Sequence, residues 1–195
     1  MDTTHVRTLA RVLKILVTIT FVCNLLVLPL VPGLVAIGLE GGMEAFWTLT
    51  PYENALEVPL RVVVLFLLVC WQALPRIWRE ASGGMLTLFL WFCGVCTAVI
   101  LWQGRRVLDT ILRGTPFCGE NAGNLRRAAV CCFCIAAAAL VRVAWGVWYF
   151  QSIRPVLTYC GLFVPIFFMG GLLFLVMSAL FRQAASLKEE NDLTI

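Results

Sequence analysis

Four long apolar runs dominate the chain, and each is long enough to cross a bilayer as a helix. They cover about residues 12–37, 85–104, 128–150 and 157–181, whereas a spanning helix needs roughly 20 residues. Within the first run, Pro29 and Pro32 predict a kink or an end of the helix, because proline lacks an amide donor and its ring clashes with the preceding turn. The pattern predicts an all-α membrane protein, a single domain over 1–195 in which four transmembrane helices form a bundle.

A fifth apolar stretch is shorter and needs a separate interpretation. Residues 62–71 are ten consecutive apolar residues between Pro59 and Pro75, and runs of this length are more often re-entrant or interfacial than spanning. Arg61, Arg76 and nearby polar residues fall close to one helix face, which favours a surface position. We therefore predict an extra helical segment over about 58–79, inside an outer region of 40–84, that does not cross the membrane.

The distribution of basic residues predicts the orientation. With four spans and a cytoplasmic N-terminus, ten Lys and Arg residues lie inside and four outside, with Arg142 counted as intramembrane. With a fifth span, six Lys and Arg residues lie inside and eight outside. If the N-terminus of the five-span chain is placed outside instead, eight lie inside and six outside. Five spans therefore stay as the alternative. Because inside loops are enriched in Lys and Arg, we expect both termini, the loop 105–127 and the tail 182–195 in the cytoplasm of a cell-membrane protein.

The loop 105–127 shows signals for a helix end and a new helix start. The helical pattern continues past residue 104, and Arg105, Asp109 and Arg113 are spaced so that they can pair along one helix face. Gly114 stands where a helix C-cap is expected. We further expect Glu120 or Asn121 to accept the free amides at the start of the next helix.

Two polar residues lie inside the apolar runs. Arg142 is a functional hypothesis by default, because a charge in the bilayer is expensive; the alternative is that it extends to the outer headgroups beside Trp145 and Tyr149. Asn24, at a similar depth, is its candidate partner, or else a satisfied polar group between helices.

The composition of the chain indicates which classes of function to expect and which to exclude. The chain is 61% hydrophobic and 13% charged, far from a soluble domain with about 25% charged residues. The net charge of +4 comes from residues at the ends of apolar runs, so we expect no direct nucleic-acid binding. Most of the nine cysteines lie in apolar runs, the only histidine is His5, and the common catalytic and cofactor motifs are missing. We expect no enzyme, no cofactor and no metal site.

Two motifs carry a family resemblance. Gly114, Phe117 and Asn121 form a Gly-x-x-Phe-x-x-x-Asn loop, and residues 190–195 read ENDLTI. Both resemble small bacterial membrane proteins of the family called domain of unknown function 2975 (DUF2975). The resemblance covers about 85–195 and, more loosely, the first span, while 55–84 looks like an insertion. It implies four spans with cytoplasmic termini, and it suggests a co-encoded helix-turn-helix regulator as the cytosolic partner.

Two hypotheses of function follow. In the first, the protein is regulatory and non-catalytic, and it binds a cytosolic partner through the loop and the acidic tail, of which the last four residues could add a strand to a sheet. In the second, it is an oligomeric transporter or channel subunit built around Arg142 and Asn24, because one four-helix protomer is barely large enough to enclose a pathway. The lipid bilayer is a partner in both. The candidate interaction residues are Gly114, Phe117, Glu120, Asn121, Glu190, Asn191 and Asp192.

Overall fold

The structure is a computed structural model that describes residues 3–39, 64, 66–68, 71, 75, 78–79, 81–115 and 118–192. Within these ranges the chain is helical and contains no strand, which confirms the predicted all-α class. Short 3-10 turns at Leu28–Leu30 and Arg154–Leu157 join consecutive helices. The helices are α1 Thr3–Val27, α2 Val31–Leu39, α3 Ala81–Leu112, α4 Gly119–Phe150 and α5 Tyr159–Asp192.

Four helical stretches in the described part are long and apolar enough to cross a membrane: Arg7–Ala36, Ala81–Leu112, Gly119–Phe150 and Tyr159–Asn191. The last three have 32 or 33 residues and are therefore about 50 Å long at 1.5 Å per residue, against a hydrocarbon core of about 30 Å. Their ends must extend beyond the hydrocarbon. Each predicted span overlaps one of these stretches; where the hydrocarbon begins and ends along them stays a prediction.

The predicted extra segment over 58–79 falls mostly outside the described residues. At the positions that the structure does describe within it, residues 64, 66–68, 71 and 75 are helical. Whether this segment enters or crosses the membrane stays a prediction.

The break between α1 and α2 confirms the effect predicted for the two prolines. Pro29 lies in the 3-10 turn, and Pro32 lies in the first turn of α2, where a missing amide is tolerated. In a regular α-helix the carbonyl of Leu28 would accept the amide of residue 32, which proline lacks. The amide of Val31 and the indole Nε1 of Trp91, at 2.9 Å, donate to this carbonyl instead.

The described residues belong to two compact units, Met1–Asn24 with Cys93–Ile195, and Leu25–Phe92. In the first unit, which we call the main unit, α4 packs antiparallel against α5. Small side chains at helical spacing on α4 let the backbones approach, as is common between membrane helices. The small buried positions of this stripe are Ala128, Ala129, Cys132, Ala136 and Ala139, and the larger Ile135 is fully buried among them.

Large apolar side chains elsewhere on these helices are exposed. Leu16 and Ile19 on α1, Val141 on α4 and Leu173 on α5 are all more than half exposed. In water such a surface would favour aggregation, whereas hydrocarbon chains solvate it well. The exposed surface therefore agrees with a chain embedded in lipid.

We predict that Gly171→Ala destabilises the protein. A Cβ at Gly171 would lie 2.9 Å from Cε1 of Phe133, and that ring is held edge-on against Phe168 at 5.6 Å between centroids. Overpacking of this kind costs about 1–3 kcal/mol. The matched control is Gly170→Ala, where a Cβ meets no atom within 4 Å and the helix gains about 0.5–1 kcal/mol. Thermal unfolding in detergent measures both; equal shifts for the two variants would contradict the predicted packing.

Candidate functional site

The candidate site lies at the loop end, which we define as the end of the main unit where α3 turns into α4. Here α3 continues unbroken to Leu112, as predicted. Gly114 has a φ of +82°, its amide donates to the carbonyl of Ile111, and the amide of Thr115 donates to that of Thr110, both at 3.1 Å. This pair of bonds with a left-handed residue is a Schellman motif, which satisfies carbonyls at a helix end. The prediction for Gly114 is confirmed.

Asn121 connects the first turn of α4 to α3. Its side chain is fully buried, and Nδ2 donates to Oγ1 of Thr110 at 2.6 Å. The Thr110 hydroxyl in turn donates to the carbonyl of Val107 at 2.7 Å. This chain of hydrogen bonds holds the two helices together directly behind the turn.

The predicted capping role of Glu120 and Asn121 is wrong. α4 begins at Gly119, and its N-cap residue is Cys118, whose side chain makes no capping hydrogen bond. Glu120 and Asn121 therefore lie inside the first turn, too late in the chain to be the N-cap residue. Glu120 still places a negative charge at the helix N-terminus, which is electrostatically favourable.

Asp109 pairs across helices instead of along its own helix. Its Oδ1 lies 2.5 Å from Nζ of Lys14 on α1, and the predicted neighbour Arg105 lies with its guanidinium 5.9 Å from the centre of the Trp102 ring. Trp102 also packs against Phe21 of α1, 5.8 Å between ring centroids. These contacts place α1 beside α3 at the loop end.

The tail continues α5 beyond the start of α4 at the loop end. The Ser178 hydroxyl donates to the carbonyl of Ala122 at 2.7 Å, which aligns residue 178 with the start of α4. Ala185 is still buried, and every residue over 186–191, including Glu190 and Asn191, is exposed. The helix reaches Asp192, so this residue, the first of the four that could add a strand to a sheet, is helical here. Residues 193–195 lie outside the described ranges.

Gly114 and Glu120 are exposed at the turn, whereas Asn121 faces inward. Phe117 lies outside the described residues. The structure thus brings Gly114, Glu120 and Asn121 together around one turn. The interaction role of all seven candidate residues stays a prediction.

The opposite end of the main unit, where α4 turns into α5, holds Arg142. Its Nε donates to Sγ of Cys160 in the first turn of α5 at 3.2 Å, and Tyr149 stacks on Trp145 nearby with ring centroids 4.9 Å apart. In the described part of the chain, Oδ1 of Asn24 accepts no hydrogen bond. The predicted pair of Asn24 with Arg142 is therefore not formed, and Arg142 joins α4 to α5 instead.

Among the described residues, no group of three or more His, Cys, Asp or Glu side chains is arranged to hold a metal ion.

A family model described as "Protein of unknown function (DUF2975)" matches residues 42–195, which is more than half of the chain. The chain belongs to the DUF2975 family. The match begins earlier than the resemblance over 85–195 and includes 55–84, while the first membrane helix precedes it. The loop and tail motifs themselves stay predictions. No curated protein and no solved structure matches the chain.

Two buried amides of this DUF2975 chain are not among the residues predicted from its sequence. Gln103 on α3 is 7% exposed and Asn124 on α4 is 2% exposed. The sequence contains an indication of their burial. Gln103 stands four residues before Val107 and Asn124 four residues before Ala128, so each amide lies on the same helix face as an apolar residue. A polar residue at a core-facing position indicates either a hydrogen-bond partner or a site.

We predict that Thr110→Val and Asn121→Leu each lower the free energy of unfolding of this DUF2975 protein by about 1–2 kcal/mol. Each change removes one partner of the partly buried Asn121 to Thr110 hydrogen bond and leaves the other partner unpaired. The double variant should lose clearly less than the sum, since both changes remove the same interaction. Thr115→Val is the matched control, because Thr115 is exposed. Denaturation of the purified protein measures all four; strictly additive losses would show that the two side chains do not interact.

Proposed function

We propose that this chain is a non-catalytic regulatory protein of the cell membrane. In this proposal both termini and the loop 105–127 face the cytoplasm, and the loop end binds a cytosolic protein, such as a small helix-turn-helix regulator encoded beside it. The chain itself does not bind nucleic acid. The observation that carries the proposal is the projection of α5 past the start of α4 at the loop end.

The length of that projection is sufficient for a docking surface. From Ser178, which is level with Ala122, α5 runs on to Asp192. Those fourteen residues measure about 21 Å at 1.5 Å each, and because α4 begins three residues before Ala122, about 16 Å of α5 projects past the start of α4. Since residues 186–191 are all exposed, a partner can reach them without any rearrangement of the main unit.

The charge of the exposed end favours a basic partner. Glu189 and Glu190 are consecutive and exposed on α5. A helix-turn-helix regulator presents a basic surface to DNA, so an acidic helix end is complementary to the surface that the regulator uses on DNA. Binding there would restrain the regulator at the membrane and away from its operator.

The turn between α3 and α4 offers a second, fixed surface for the same partner. Gly114 and Glu120 are exposed at the surface of a turn that the Asn121 to Thr110 hydrogen bond fixes from within. We assign Asn121 a positioning role, because its buried side chain is out of reach of a partner. A fixed surface loses little entropy on binding.

The alternative, a transporter or channel subunit around Arg142 and Asn24, is the weaker proposal. It needs these side chains to line a pathway together, but the guanidinium of Arg142 bonds Cys160. No contact in the described residues favours this alternative over a regulatory role.

We predict that reporter fusions after residues 113 and 188 report the cytoplasm and that a fusion after residue 154 reports the outside. The physical reason is the excess of Lys and Arg in the loop and tail. Paired fusions to alkaline phosphatase and to a fluorescent protein at each position give opposite signals and control for expression. Residues 113 and 188 on opposite sides of the membrane would contradict the proposed topology.

We predict that the double substitution Glu189→Lys with Glu190→Lys weakens capture of the co-encoded regulator by about tenfold or more, because it replaces attraction by repulsion at the proposed surface. Lys188→Gln is the matched control. It removes a positive charge from the same exposed turn, so it makes the surface more acidic and should not weaken the binding of a basic partner. Capture from membranes at low and at high salt measures the effect. Deletion of residues 190–195 with undiminished capture would remove the tail from the proposal.

A further inference from the structure

Two cysteines of the main unit, Cys96 on α3 and Cys131 on α4, place their thiols in direct contact. Their side chains are hydrogen-bonded to each other, and neither residue is part of a disulfide. Cysteine in a membrane helix commonly serves as a small apolar side chain, and that role needs no second thiol beside it. Two thiols in contact have a chemistry that a single thiol lacks, because they can be joined in a disulfide.

The way α3 and α4 face each other accounts for this contact. Nδ2 of Asn121 on α4 donates to Oγ1 of Thr110 on α3, which fixes the sides that the two helices turn towards each other. Cys96 stands fourteen residues before Thr110, and Cys131 stands ten residues after Asn121. At 3.6 residues per turn, these intervals return to within about 40° and about 80° of the starting direction. Both thiols therefore lie on the facing sides of α3 and α4.

The surroundings of the pair limit which oxidant can reach it. Each side chain is partly exposed, and each residue falls in a predicted membrane span, 85–104 for Cys96 and 128–150 for Cys131. In hydrocarbon, peroxide and glutathione dissolve poorly, because their polar groups lose their hydrogen bonds to water. An oxidant for this pair must therefore dissolve in lipid, and it must accept two electrons, since the dithiol–disulfide couple transfers two.

A quinone meets both requirements. We propose that a membrane quinone oxidises the thiols of Cys96 and Cys131 to a disulfide that joins α3 to α4. One S–S bond forms and two S–H bonds break. The two electrons and two protons pass to the quinone, whose two carbonyl oxygens become the hydroxyls of a quinol. Through this bond the chain registers the redox state of the quinones around it, and the site does not depend on the proposed cytosolic partner.

The test uses the full-length protein, reduced and held under argon in phosphatidylcholine nanodiscs. The probe is decylubiquinone, whose fully substituted ring does not alkylate thiols. We expect one quinol per protein molecule by absorbance, and differential alkylation with mass spectrometry should show Cys96 and Cys131 protected together. Oxidised glutathione should oxidise the pair more slowly by about tenfold or more, because it stays in water. A disulfide between other cysteines, or equal rates with the two oxidants, would overturn the proposal.

Substitutions separate this pair from the other thiols. Cys131→Ser should lower quinol formation to the background of empty nanodiscs, because the remaining thiol has no partner for a disulfide. Cys134→Ser is the matched control: this thiol lies three residues further along α4 and is exposed, yet its loss should leave quinol formation unchanged. Unchanged quinol formation in Cys131→Ser also overturns the proposal. If that variant does not fold, alkylation of the wild-type protein decides without any substitution.

Discussion

Backbone amides and carbonyls inside a bilayer must find partners within the protein, and the rest of this structure depends on that constraint. It explains why the described residues are helical, and it is most visible where helices break. At the α1 to α2 break, the carbonyl that Pro32 leaves without a donor accepts from Val31 and from the indole of Trp91. At the polar end of α3, the Schellman motif around Gly114 likewise satisfies the carbonyls of Thr110 and Ile111. In both places the chain changes direction only where the lost hydrogen bonds are replaced.

Side-chain contacts within the protein make the loop end a defined surface. Asn121 is buried, and its amide donates to Thr110 across the turn, so α3 and α4 are joined immediately behind the exposed residues. The Lys14 to Asp109 pair adds α1 to this group, and the Ser178 hydroxyl adds α5. A polar end that is held from within, with one helix continuing past it, is suited to binding a partner.

Gln103 and Asn124, like Asn24, keep a buried side-chain polar atom without a hydrogen-bond partner in the described part of the chain. They stand at the same end of the main unit as the turn.

Local rules determined what the sequence could predict by itself. Apolar runs of sufficient length predicted the all-α class and the four membrane helices, Pro29 and Pro32 predicted the break in the first run, and Gly114 predicted the end of α3. These features depend on composition or on residues within one or two turns. The tertiary structure alone decided which polar groups meet. Asp109 pairs with Lys14 of another helix instead of an arginine of its own helix, Arg142 bonds Cys160 instead of Asn24, and Gln103 and Asn124 are buried. The reason is that helix spacing specifies only the face on which a side chain lies, whereas its partner across the bundle depends on how the helices pack and at what register.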